Sequence, residues 1–195
     1  MMTDVRDKSG FSLFISDLHL CASRPEITSS FIDFLQVTAV NAEALYILGD
    51  LFEYWAGDDD MEDIHHQTVI NALKKLAETG VRIYFMHGNR DFLIGADFCQ
   101  VANVTLLQDP TLIDLYGKKT LLSHGDTLCT DDIDYQAFRR QVRQTKWQSE
   151  FLSQPLPERK AQIENIRMRS EQEKTGKSNE IMDVNPEAVA AMLAE

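Results

Sequence analysis

Short apolar runs that stop abruptly at polar, metal-competent side chains recur four times along this chain. Residues 11–15 run into Ser16-Asp17-Leu18-His19 and residues 45–48 into Gly49-Asp50. Residues 83–86 run into His87-Gly88-Asn89-Arg90-Asp91, and residues 120–122 into Ser123-His124-Gly125-Asp126. Runs this short and apolar predict buried strands. Between them the spacing changes to the helical period. Ile27, Phe31, Phe34 and Leu35 predict a first helix with Pro25 near its start. Ile64, Val69, Ala72, Leu73 and Leu76 predict a second, closed by Gly80 before a strand that begins at Val81. Strand, helix, strand at this spacing predicts an α/β fold with a parallel sheet, and such sheets bind ligands beyond the carboxyl ends of their strands. Asp17, His19, Asp50, Asn89 and His124 would then converge on one site, with Asp50 at its middle.

After His124 the pattern changes. Residues 135–152 and 158–174 read as helices separated by the breaker Pro155-Leu156-Pro157. Residues 175–179 read as a loop, and Asn185-Pro186 opens a last helix, an Asn cap followed by Pro at the first helical position. The expectation is a single domain over 1–195 with a helical insertion over 130–180.

A length of 195 residues, 44% hydrophobic and 26% charged, suits one globular domain with a sizeable core. Cys21, Cys99 and Cys129 form no paired framework, so they read as packing residues in a reducing compartment. The polar start and the absence of any apolar run near the ~20 residues of a membrane span predict neither signal peptide nor transmembrane helix. The net charge of −12 disfavours nucleic acid as a partner. Charge is nonetheless uneven: residues 139–177 carry 10 Lys/Arg against 5 Asp/Glu, so the helical insertion is locally basic.

Carboxylate, amide oxygen and imidazole are the ligands of hard divalent ions such as Mn²⁺ or Mg²⁺. Asp50 would bridge two ions, Asp17 and His19 serving one and Asn89 and His124 the other. Two ions about 3.5 to 4 Å apart can activate a water and clamp the oxygens of a phosphoryl group. Taken singly, each motif has a plainer reading: a lone DxH after a strand recurs by chance, and Gly-Asp marks turns. Together and in this order they describe a phosphoesterase. Other polar residues read as structural: His65 and His66 on a helix, one exposed and one against polar cover, and Asp58-Asp59-Asp60 as a loop capping the helix that follows. His87, Asp91 and Asp126 are placed to orient neighbouring ligands.

Asp17-Leu18-His19, Gly49-Asp50, Gly88-Asn89 and His124-Gly125-Asp126 resemble the successive motifs of the calcineurin-like metallophosphoesterases. The wider blocks ISDLHL, YILGDLFEYWAGDD, FMHGNRDFLIG, HGDTLCTDD and IMDVNP resemble the UDP-2,3-diacylglucosamine pyrophosphatases of lipid A synthesis within that superfamily. The resemblance implies a two-layered β sandwich flanked by helices with a helical cap. It also implies two Mn²⁺ ions, with Mg²⁺ as the other candidate. The implied reaction is hydrolysis of UDP-2,3-diacylglucosamine to 2,3-diacylglucosamine 1-phosphate and UMP, at the cytoplasmic face of the inner membrane. It assigns Asp17, His19, Asp50, Asn89 and His124 to the metals, and Asp50, Asn89, Arg90 and His124 to catalysis. Asn89, Arg90, Asp132, Ser170, Lys174 and Lys177 would bind substrate. Where many members carry GNHD this chain has Arg90, which stays protonated and so suits charge stabilisation rather than proton donation. Trp147, Phe151, Leu152 and Leu156 could line an acyl-chain channel or meet the membrane beside Arg139, Arg140, Arg143 and Lys146. Cap-to-core packing accounts for the same apolar residues equally well.

The family's late GHxH motif, one further ligand for each ion, does not occur in this sequence, and no strand is predicted after the last helix. The expectation is therefore a form truncated before the final ligand pair, with its closing strands missing. Two other readings stay open: a metallophosphoesterase-like binding module without catalysis, and a phosphodiesterase of another nucleotide substrate.

Overall fold

The computed structural model describes residues 10–174 and 179–194. Four strands, β1 (Ser12–Ile15), β2 (Ala44–Leu48), β3 (Arg82–Met86) and β4 (Thr105–Leu107), form a parallel sheet in that order. The crossovers carry α1 (Pro25–Val37), α2 (Ile64–Glu78) and α3 (Ala96–Ala102). Period-two alternation divides the sheet between two layers. Leu45, Ile47, Ile83 and Phe85 share a buried core with Phe31 and Leu35 of α1, Val69, Leu73 and Leu76 of α2, and Phe98 of α3. On the opposite face Phe14, Tyr46 and Tyr84, in register across three strands, stack at ring separations of 4.8 and 4.7 Å. A strand buried on both faces was expected at β2; Tyr46 is half-buried because its face meets a thinner layer.

That layer is an antiparallel hairpin of β5 (Thr111–Leu115) and β6 (Lys118–Leu122), whose turn reaches the aromatic face through Tyr116 Oη, 3.0 Å from Ser12 Oγ. The fourth apolar run, residues 120–122, is therefore half of a hairpin and not a member of the parallel sheet. α2 also departs in detail from its predicted stripe: Ile64, in the first turn, is 83% exposed, and Ile70 packs inward instead.

The segment expected as one helix over 135–152 is two, α4 (Ile133–Val142) and α5 (Thr145–Leu152). The chain extends at Gln144, and the turn lets Trp147 stack on Phe151 at 4.9 Å against the core. α6 (Leu156–Lys174) starts before Pro157, which sits harmlessly in its first turn. Arg159, 1% exposed, anchors α6 by donating to the Ala56 and Gln154 carbonyls and pairing with Asp59, while Lys160 pairs with Asp60 at 2.6 Å. Two short helices follow, α7 (Asn179–Met182) and α8 (Pro186–Ala194), and Asn185 Oδ1 caps α8 by accepting from the amides of Glu187 and Ala188. Among the described residues no helix is long and apolar enough to cross a membrane.

Asp58-Asp59-Asp60 serves differently from expectation. The helix that follows is capped by Asp63, whose carboxylate accepts from the amides of His65 and His66. Asp58 reaches across to α3, accepting from Gly95 N and Phe98 N at 2.9 and 3.0 Å and from the Trp55 indole at 3.0 Å. Neither neighbouring histidine is exposed: His66 is buried against Phe52 and Trp55 with Nδ1 bonded to the Asp60 carbonyl, and the His65 ring bonds to Thr28. An Asp58→Ala variant loses a helix cap and strands an indole N–H. It should unfold at lower urea, by about 1–3 kcal/mol in extrapolated stability.

Candidate active site

Backbone bends at the carboxyl ends of β1 and β2 build the site. Asp17 (φ 56°), His19 (φ 50°) and Asp50 (φ 53°) all adopt the left-handed region, which costs a side-chain-bearing residue roughly 1–2 kcal/mol. Amide bonds beyond the strands hold them there: Asp17 N donates to Gly49 O at 3.1 Å and His19 N to Asp50 O at 2.9 Å. Two glycines permit the close approach of the β2 and β3 ends. A Cβ on Gly49 (φ 93°) would lie 2.6 Å from Gly88 Cα, and one on Gly88 would lie 2.1 Å from Asp50 Oδ1. Asp91, fully buried, clamps the same junction. Its carboxylate accepts from Leu51 N at 2.7 Å and Gly88 N at 2.9 Å, and more loosely from Asp50 N and Phe52 N. Burial first, and the charge of Asp50 second, push the Asp91 carboxyl up to about 7.

The structure brings the other four predicted ligands, Asp17, His19, Asn89 and His124, around Asp50. Asp17, Asp50 and His124 offer ligand atoms that all lie within 4.8 Å of one another. His19 Nε2 is 3.7 Å from Asp50 Oδ2 and 4.0 Å from Asp17 Oδ1, and His124 Nε2 is 3.9 Å from Asp50 Oδ1. The Asn89 side-chain carboxamide approaches the two Asp50 oxygens to 2.6 and 3.1 Å. The donor set fits divalent cations. Asp50 is 2% exposed and accepts the Arg90 amide at 2.8 Å, yet no lysine or arginine among the described residues pairs with it. Burial accordingly raises its carboxyl, against the pull of the Arg90 amide and of His124 and His19. His124 donates from Nδ1 to the Leu48 carbonyl at 2.8 Å, which leaves Nε2 with a lone pair on the Asp50 side, the tautomer a metal requires. Burial would lower the pKa of His124, but the Asp50 charge and the Leu48 carbonyl outweigh it and raise it.

A cavity of about 530 Å³ lies beside this cluster, reaching it through Asn89, between the strand ends and helices α4 to α6, a volume suited to a small-molecule ligand. Asn89, Arg90, Asp132 and Ser170 line it, and Phe92, Phe138, Val142, Trp147, Phe151 and Ile163 give it an apolar wall. Asp132 also caps α4, accepting from Tyr135 N at 3.1 Å. Lys177 and the side chain of Lys174 lie outside the described residues. Leu152 is 40% exposed, and neither it nor Leu156 is in the cavity lining. The basic residues of α4 and α5 do not form one surface patch. Arg140 and Lys146 are exposed, whereas Arg139 turns inward to Asp126 at 2.8 Å. Arg143, at the end of α4, donates to the Gly88 carbonyl at 2.8 Å with its guanidinium over Phe92.

Asp91 and Asp126, expected to orient ligands, bond the segments that carry them, by different routes. Asp91 holds the backbone on both sides of the site. Asp126 accepts from Tyr135 Oη and Arg139 Nε and so ties α4 to the loop after His124. Burial would raise the Asp126 carboxyl, but those two hydrogen bonds hold it below the usual carboxylate range. His87, two residues before Asn89, bonds instead to the Ile94 carbonyl at 2.7 Å. Sequence reasoning missed Glu53 and Arg167 and put Arg143 toward the membrane, because their partners lie far along the chain.

A family model described as calcineurin-like phosphoesterase matches residues 12–185, and the chain belongs to that family. It is 54% identical to the UDP-2,3-diacylglucosamine hydrolase of Aromatoleum aromaticum, over 94% of this chain and 75% of that protein. It is 50% identical to the enzyme of the same name from Cellvibrio japonicus, over 94% of this chain and 76% of its relative. The namesake from Escherichia coli O6:H1 is likewise 50% identical, over 93% and 75%.

Because Gly88 leaves no room for a side chain against Asp50, Gly88→Ala should weaken Mn²⁺ uptake by about 10–100-fold, measured by titration of the protein with the ion.

Proposed function

We propose that this chain is a metal-dependent hydrolase of UDP-2,3-diacylglucosamine, releasing 2,3-diacylglucosamine 1-phosphate and UMP. The observation that carries the reading is the joining of two environments. A cluster of carboxylate, amide and imidazole donors around Asp50 adjoins, through Asn89 and Arg90, a cavity with an apolar wall, as a substrate with a pyrophosphate and acyl chains requires. The names of the relatives agree with it.

In this reading Asp17, His19, Asp50, Asn89 and His124 hold two divalent ions, Mn²⁺ with Mg²⁺ as the other candidate. Such ions supply Lewis acidity toward phosphoryl oxygens and make water a stronger nucleophile at neutral pH. The chain's own groups do the rest. Asp50, shared at the centre, sets the spacing of the donors. The Leu48 carbonyl keeps the His124 proton on Nδ1. Arg90, with a side chain 15% exposed at the cavity, holds a permanent positive charge beside the pyrophosphate and offsets the charge that grows on it during displacement. Proton donation by Arg90 is unnecessary, because a phosphate ester leaves as a stable anion.

Helices α4 to α6, within the 130–180 insertion, act as the cap over this site in one domain spanning 1–195. Asp132, Ser170, Lys174 and Lys177 bind the glucosamine and its phosphate, and the wall built by Phe92, Trp147 and Phe151 receives acyl chain. Arg140 and Lys146 face anionic headgroups and favour a peripheral position on the cytoplasmic face of the inner membrane, by up to about 1 kcal/mol each.

The test is Mn²⁺-dependent release of UMP from UDP-2,3-diacylglucosamine. Asp50→Ala should abolish it, and Arg90→Lys should lower kcat by about 10²–10³-fold. Undiminished turnover in Asp50→Ala would sink the reading.

A further inference from the structure

Glu53 lies three residues beyond Asp50, and four cationic or titratable groups from four segments of the chain meet its carboxylate. One oxygen serves the metal-competent side. Oε2 accepts from Arg24 Nη2 at 3.0 Å and lies 3.7 Å from His19 Nδ1. The other serves the cavity side. Oε1 accepts from Arg167 Nη2, on α6, at 2.7 Å and lies 3.8 Å from Arg90 Nη1. Its backbone is tied down as well, with Glu53 N donating to the Leu20 carbonyl at 3.1 Å. Arg24 closes the arrangement by donating from Nη2 to the His19 carbonyl at 2.6 Å.

His19 Nδ1 is buried and has no hydrogen-bond partner among the described residues. A buried ring nitrogen left unpaired is costly, and the carboxylate beside it is the natural acceptor for its proton. A proton on Nδ1 leaves Nε2 with a lone pair, and Nε2 is the atom that faces Asp50 and Asp17. Histidines that bind metals regularly use a carboxylate in this way to set ring orientation and tautomer.

We propose that Glu53 is a positioning residue that fixes the His19 tautomer through one oxygen and, through the other, makes that tautomer depend on the seating of α6 by Arg167. A helix of the cap and a metal ligand then share one carboxylate. Loosening α6 frees Glu53 to shift, and His19 loses its orienting acceptor. The inference rests on His19 serving as a metal ligand, as proposed above.

A carboxylate that merely neutralises neighbouring arginines would affect stability alone, so the test reads the imidazole and the ion directly. The 195-residue chain and its Glu53→Gln, Glu53→Asp and Arg167→Met variants are titrated with Mn²⁺, free ion being followed by electron paramagnetic resonance. The His19 tautomer is read by ¹⁵N spectra, which five histidines keep assignable. Glu53→Gln should weaken Mn²⁺ binding by about 10–100-fold and take the His19 proton off its fixed position on Nδ1. Glu53→Asp, which keeps the charge, should recover part of both. Arg167→Met should move both in the same direction, and Glu53→Gln combined with Arg167→Met should bind no more weakly than Glu53→Gln alone, because both act on one interaction. Wild-type affinity and an unchanged His19 tautomer in Glu53→Gln overturn the inference while leaving the proposed function standing. Should Glu53→Gln not fold, wild-type affinity in Glu53→Asp and Arg167→Met together overturns it. Absence of Mn²⁺ uptake by the parent chain overturns the metal-dependent reading and this inference with it.

Discussion

Asp91 has no access to solvent, and its carboxylate is used up by amides from two strand ends: Gly88 after β3, and Asp50, Leu51 and Phe52 after β2. Burying such a group is expensive unless its lone pairs are occupied. Here they are filled by backbone that has left the regular sheet and would otherwise have unpaired donors of its own. The arrangement holds Asp50 in a left-handed conformation that its own preferences oppose. Every other feature of the site inherits its position from that junction. Asn89 and Arg90 sit on the loop whose Gly88 amide is bonded to Asp91, and Arg143 reaches the cap side of the same loop through the Gly88 carbonyl.

The strand ends were legible because each apolar run stops at a short polar motif, a contrast contained within ten residues. The helices α1, α2 and α8 were legible for similar local reasons: apolar spacing, a proline near the start, an asparagine cap. What escaped was short or non-local. β4 has three residues, too few for a pattern, and α3 has seven. β5 does alternate between half-buried and exposed positions up to the Tyr116-Gly117 turn, so a hairpin signal was present and went unused. Within the site, the Glu53–Arg167 pair joins residues 114 apart and the Arg143–Gly88 bond residues 55 apart. No window of sequence contains both partners, and a run of arginines reads as surface until the carboxylates that turn them inward are placed.

The charge of the cap illustrates the point. As a stretch of sequence it is basic within an acidic chain, which suggests attraction to an external anion. Folded, much of that charge meets internal carboxylates: Arg139 meets Asp126 and Asp109, Arg159 meets Asp59, Lys160 meets Asp60 and Arg167 meets Glu53. Complementary charge is thus how a helical layer with few buried apolar residues of its own stays docked on the sheet.

The aromatic ladder on the far face of the sheet extends the same economy to strand alignment. Ring separations of 4.7–4.8 Å between Phe14, Tyr46 and Tyr84 equal the natural spacing between neighbouring strands, so the rings can stack only when those three positions are level. A slip by one residue would turn each ring to the helical side and, in the same motion, carry Asp50 away from Gly88. The ladder therefore offers an optical gauge of alignment: the stacked Tyr46 and Tyr84 rings should give a near-ultraviolet circular dichroism signal that is lost with the register on which the carboxylates depend.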